Sequence, residues 1–73
     1  MQQILIEDAE RIGKTLKKRR QSLKISQKEL AQFCQLSHTG IGKIELGQTD
    51  VRLETLLKLS KFLGFKIILE MDE

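Results

Sequence analysis

A single cysteine, Cys34, leaves no pair for a disulfide within the chain. A single histidine, His38, leaves no Cys/His set with zinc-ligand spacing. The longest apolar run is far shorter than a membrane span, so no membrane association is expected. The opening residues 1–6 lack the basic flank and cleavage site of a signal peptide, and a cytoplasmic setting is expected. Proline is absent, and so are internal repeats and low-complexity stretches, which excludes a repeat array. Enzyme chemistry lacks its parts: there is no carboxylate pair set for acid–base work, no glycine-rich phosphate loop and no metal set. Seventy-three residues are also too few to enclose a substrate pocket beside a core. Neither an enzyme nor a cofactor is expected.

What the chain does have is unevenly spread charge. The net charge of +3 says little, but eight basic residues and no acidic one lie between Arg11 and Lys28. They are Arg11, Lys14, Lys17, Lys18, Arg19, Arg20, Lys24 and Lys28. Residues 70–73 tilt the other way. Such a block is either a solvated helix surface or the footprint of a phosphate-binding face. The length allows one domain, residues 1–73. A domain this size buries only roughly 60% of its unfolded surface and gains from a partner.

Apolar periodicity predicts four helices, over about residues 8–22, 27–34, 38–46 and 53–63. In the first, Ala9, Ile12, Leu16 and Leu23 form the buried stripe, with Asp8 as cap and Glu10 in the first turn. The second buries Leu30, Ala31 and Cys34, and the third Ile41 and Ile44, with Gly47 as its left-handed stop. In the fourth, Leu53, Leu56, Leu57 and Leu63 form one face. Leu59 and Phe62 stray onto another face, and Gly64 ends the helix. That surplus of apolar surface suggests a partner. From Phe65 the period changes: Phe65, Ile67, Leu69 and Met71 alternate with Lys66, Ile68, Glu70 and Asp72, predicting a strand over about 65–70. A lone strand needs a neighbour, either residues 3–6 or, the preferred pairing, the same strand of a second copy.

Residues 25–47 are the most informative. Ser26 is placed to cap the second helix while Glu29 reaches back to the Ser26 N–H, and Ile25 can staple against Leu30. Eleven residues later Ser37 caps the third helix, and Leu36 can staple against Ile41. Two short helices so joined have the layout of a helix-turn-helix, whose second helix meets the major groove of DNA. His38, Thr39, Gly42 and Lys43 lie away from Ile41 and Ile44 and are the candidates for reading bases. The alternative for His38 is an exposed histidine without a role. Gly40 and Gly42 either let a bare backbone approach DNA or are tolerated at about 1 kcal/mol each relative to alanine. Gln27, Ser37 and Arg52, with Lys18 and Arg19, are the candidates for phosphate contact. Cys34 reads as a small core residue, a redox switch being the lesser alternative. Glu45 is expected to bond within the domain.

The run Ser26-Gln27-x-Glu29-Leu30-Ala31, then Ser37, Ile41, Ile44, Glu45 and Gly47, resembles the lambda-repressor-like (Xre-type) helix-turn-helix family. The resemblance extends through Ile12-Gly13-Lys14 and Lys18-Arg19-Arg20 upstream and Arg52-Leu53-Glu54-Thr55-Leu56-Leu57 downstream. It implies phosphate contact by Gln27 and by the loop Gly47-Gln48-Thr49. Gln35 departs from it, since the family has glycine at that turn, where a left-handed non-glycine costs ~1–2 kcal/mol. The segment from Arg52 into the terminal strand resembles HipB-type antitoxins. That implies dimerisation through Leu59, Phe62, Phe65, Ile67, Ile68 and Leu69, with the strands pairing across the dimer, and a HipA-type kinase toxin as partner. The reading is a mostly α, homodimeric repressor of a double-stranded DNA operator, acting as the antitoxin and autoregulating its operon. The alternatives are a phage-type or metabolic repressor with no toxin, and a protein-binding neutraliser with weak DNA binding.

Overall fold

A computed structural model describes residues 2–73. Four helices follow in order: α1 Ala9–Ser22, α2 Gln27–Cys34, α3 His38–Glu45 and α4 Leu53–Leu63. Side chains open the first three. Asp8 Oδ1 accepts from the Arg11 N–H at 2.7 Å. Ser26 Oγ accepts from the Glu29 N–H while Glu29 Oε1 accepts from the Ser26 N–H, both at 3.0 Å, which completes the capping box. Ser37 Oγ accepts from the Gly40 N–H at 2.9 Å. Each bond satisfies a donor that the first turn leaves without a partner.

The helices stop on left-handed residues, two of which are not glycine. Lys24 and Gln35 stand at φ 59° and 56°, Gly47 and Gly64 at φ 71°. After α2 the Leu36 N–H reaches back to the Ala31 carbonyl and the Gln35 N–H to the Gln32 carbonyl. The same pair of bonds follows α1 and α3. These are Schellman closures, and they recover carbonyls that the last turn would otherwise leave unpaired. Gln35 therefore takes the conformation that glycine usually supplies, and accepts its strain.

α1 packs on α3 and α4, and α2 on α3 and α4. Leu16, Leu30, Ala31, Cys34, Ile41, Ile44, Leu59 and Leu63 are buried together, with Ile12, Ile25, Leu36, Val51, Leu56 and Phe65 against them. Gly13 sits where α1 crosses α3, and a Cβ there would collide with the Ile44 and Glu45 carbonyls. Burial raises the Cys34 thiol pKa, opposed weakly by Lys58, which suits an inert core residue.

Three expectations need correction. Leu23 is exposed, because α1 ends before it and the chain turns outward at Lys24. On α4 the inward stripe is Leu56, Leu59 and Leu63. Leu59 is 1% exposed, whereas Leu53 and Leu57 face outward. Leu59 thus belongs to the core of its own chain, not to a dimer surface. Among the described residues there is no strand: residues 65–73 and 3–6 run without regular structure. A strand exists only through ladder bonds to a neighbour, and the single chain offers this segment none. No helix of the described residues is long and apolar enough to cross a membrane.

Candidate nucleic-acid interface

One face of α3 combines with the start of α2. Thr39, Gly42, Lys43 and Leu46 follow at i, i+3, i+4 and i+7, on the side opposite Ile41, Ile44 and Glu45, all three of which are buried. Together with His38, with Gln27 from the first position of α2 and with Gln48 from the following loop, they line a shallow hollow of about 380 Å³. Sequence reasoning had singled out every one of these residues except Leu46. It lies at 65% exposure where its spacing from Thr39 predicts.

A buried ion pair supports this face from below. Arg20 Nε donates to Glu45 Oε2 at 2.6 Å, Arg20 Nη2 donates to Glu45 Oε1 at 3.0 Å, and Arg20 Nη1 donates to the Ile25 carbonyl at 2.8 Å. Gln27 Nε2 adds a bond to Glu45 Oε1 at 2.9 Å, and His38 Nε2 meets Gln27 Oε1 at 3.1 Å. The bidentate guanidinium–carboxylate geometry is strong and directional. With its remaining sites satisfied, the pair holds α1, α2 and α3 in one arrangement. No buried side-chain nitrogen or oxygen lacks a partner among the described residues. Glu45 bonds within the domain, as the sequence reading expects. The role of Arg20 was missed, although the spacing Gly13, Leu16, Arg20 puts it on the buried stripe.

The basic block is therefore divided. Arg20 is buried, and Arg19 Nε donates to the Leu63 carbonyl at 2.6 Å, closing the end of α4. Lys14 pairs with Glu10 at 3.1 Å. Lys18, Lys28 and Lys43 are exposed and form no ion pair among the described residues. Of the remaining phosphate candidates, Ser37 is exposed and its Oγ accepts from the Gly40 N–H at the cap of α3. Thr49 is exposed in the loop, its hydroxyl on the Asp50 carbonyl, and Arg52 is exposed at the cap position of α4. Neither lines the hollow.

The two glycines of α3 differ. A Cβ on Gly42 would meet nothing within 4 Å, so the bare backbone faces the hollow. A Cβ on Gly40 would lie 2.9 Å from the capping Ser37 Oγ, a close contact with a side chain rather than with backbone. Of the residues expected at a dimer surface, Phe65 packs against the core, while Ile67, Ile68 and Leu69 are exposed. Phe62 is exposed and stacks on Phe33 of α2, ring centroids 5.3 Å apart. No cluster of three His, Cys, Asp or Glu among the described residues is placed to hold a metal ion.

Known proteins are similar to this chain in sequence and fold. The helix-turn-helix family matches residues 16–68. The chain is 44% identical over 52 residues to the SPbeta prophage-derived uncharacterized HTH-type transcriptional regulator YonR of Bacillus subtilis, covering 71% of this chain and 48% of that protein. It is 51% identical over 45 residues to an uncharacterized HTH-type transcriptional regulator of Haemophilus influenzae, covering 62% and 46%. The chain thus spans about half the length of the curated relatives it matches. Among solved structures, the restriction-modification controller protein C.AhdI of Aeromonas hydrophila superposes with a TM-score of 0.76 at 31% identity. That match covers 80% of this chain and 88% of the controller.

Proposed function

Because the chain belongs to the helix-turn-helix family, we propose that it regulates transcription by binding duplex DNA through α3 and the start of α2. The hollow of Gln27, His38, Thr39, Gly42, Lys43 and Gln48 carries this reading. It sets the exposed face of α3 outward, with hydrogen-bonding side chains and one free lysine on it. Lys43 donates to guanine O6 and N7, Thr39 bonds a base or touches a thymine methyl, and His38 reads an adjacent edge. Gln27, the loop at Gln48 and Thr49, Arg52 and Lys18 hold the phosphates on either side. Arg19, whose Nε is held by the Leu63 carbonyl, can still offer its terminal guanidinium nitrogens, and the Ser37 hydroxyl, which accepts at the cap, can still donate.

The reading continues to a homodimer on a near-palindromic operator, two α3 helices meeting successive major grooves about one turn apart. Occlusion of a promoter then produces repression. The exposed Phe62, Ile67, Ile68 and Leu69 supply apolar surface for the second copy. The finer reading, an antitoxin beside a HipA-type kinase toxin, rests on the segment from Arg52 into the tail, and a gene neighbour encoding such a kinase is its test. Similarity to a restriction-modification controller supports the regulator reading and does not bear on a toxin.

Titrating a labelled duplex from upstream of the gene tests the reading. Affinity should fall steeply with salt, at a slope of about −0.9 per phosphate contacted. It should also exceed that for random duplex at every salt concentration. Equal affinity for both duplexes would remove sequence-specific regulation, and a flat salt response would remove DNA binding.

A further inference from the structure

The bonds that end at His38 have a direction. Glu45, gripped by the Arg20 guanidinium, presents only acceptor atoms to its neighbours. The Gln27 group bonded to it must therefore be the amide NH2, as the 2.9 Å contact from Nε2 has it. That leaves the Gln27 carbonyl oxygen, which can only accept, facing His38 Nε2 at 3.1 Å. A neutral His38 accordingly carries its proton on Nε2 and holds Nδ1 as a lone pair. Among the described residues no group bonds Nδ1, and the side chain is exposed at the rim of the hollow.

We propose that the Arg20–Glu45 pair, acting through Gln27, sets His38 as a hydrogen-bond acceptor, so that this position of α3 selects a base bearing an exocyclic amino group. The inference rests on the DNA reading above and adds a base class to it. In the major groove adenine N6 and cytosine N4 are donors, whereas guanine O6 and N7 and thymine O4 only accept. Neutral His38 thus favours adenine or cytosine over guanine or thymine as the base it faces on the contacted strand. Arg20, Glu45 and Gln27 are positioning residues for this choice: they determine which ring nitrogen is free without needing to touch the base. The tautomer of a histidine is decided by the bond its other nitrogen makes, and here that bond originates in a buried ion pair.

The chain has one histidine, so long-range 1H–15N spectra report its ring without overlap. At a pH where the ring is neutral, the wild-type protein should show a single Nε2–H tautomer. Sequencing of duplexes selected from a randomised library should show an about fivefold to tenfold preference for an amino-bearing base at one position, lost in His38→Ala. Gln27→Ala should mix the tautomers and flatten that preference. Gln27→Lys puts a donor where the carbonyl stood. The proton should then move to Nδ1 and the preference towards guanine or thymine, a reversal that a purely structural role for Gln27 would not produce. A wild-type ring protonated at Nδ1, or a base preference identical in wild type and Gln27→Lys, overturns the proposal. An intact Nε2–H tautomer in a protein that binds no duplex overturns the DNA reading and the base preference with it. The spectra distinguish that failure from failure of the relay.

Discussion

Lys43 lies in the hollow on α3, and Lys18 lies exposed on α1 outside it. A lysine on a base edge and a lysine on a phosphate differ in what their loss does. Lys43→Ala should cost ~1–3 kcal/mol against the operator and relax preference at one base position. Lys18→Ala should weaken binding to all duplexes alike and reduce the salt slope by about one. Equal losses on operator and random DNA for Lys43→Ala would move it to the phosphate class. Glu29 is a residue whose protonation matters to the fold. The Ser26 N–H, then the Ser26 hydroxyl, holds its carboxyl below the usual carboxylate range. A folded-state pKa below the unfolded one gives stability that is complete above the unfolded value and is lost as pH falls through the folded one. Thermal melting of wild type should therefore fall more steeply in that acid window than melting of Glu29→Gln. Parallel curves would mean that the capping box adds no pH dependence.

At the scale of elements, α3 is short, and two of its eight residues are glycine. Gly42→Ala enters open space and should stabilise the protein by about 1 kcal/mol. For a domain of this size that is a rise in melting temperature of roughly 4–8 °C. If the bare backbone at Gly42 approaches DNA, operator affinity should fall in the same variant. Stability and binding would then move in opposite directions. Gly13→Ala is the control. Its Cβ would strike the Ile44 and Glu45 carbonyls, so α1 and α3 must separate. Strain of this kind costs about 1–3 kcal/mol or more, read from urea unfolding. A Gly13→Ala protein as stable as wild type would show that the crossing of α1 and α3 can relax.

For the molecule as a whole, the proposed dimer makes the tail the segment to test. Phe65 is part of the core, but Ile67, Ile68, Leu69 and Met71 expose apolar side chains beyond it. Truncation after Phe65 should leave the four helices folded and convert a dimer into a monomer, measured by sedimentation. Operator affinity should drop with it, because each half-site then binds without the effective concentration its partner supplies. A truncated protein that still sediments as a tight dimer would place the interface on Leu53 and Leu57 of α4 or on the stack of Phe62 with Phe33 of α2.

Local chemistry alone determined much of this protein. Ser26, Glu29 and Ser37 specify two helix starts, Gly47 and Gly64 two stops, and the i, i+3, i+4 spacing brings Thr39, Gly42 and Lys43 to one face. Each depends on residues a few positions apart, whose relative placement a helix fixes by its geometry. Three matters were left to the tertiary structure. α4 is apolar at Leu53, Leu56, Leu57, Leu59, Phe62 and Leu63, enough for more than one stripe, and only the positions of α1 and α2 select Leu56, Leu59 and Leu63. Arg20 and Glu45 lie 25 residues apart: Glu45 reads as bonding within the domain but with no partner named, and Arg20 reads only as one of the basic block. Their pairing depends on the crossing that Gly13 permits. The alternating tail satisfies the side-chain pattern of a strand but carries no partner with it. A ladder is a property of two segments, so residues 65–73 stay irregular in the single chain.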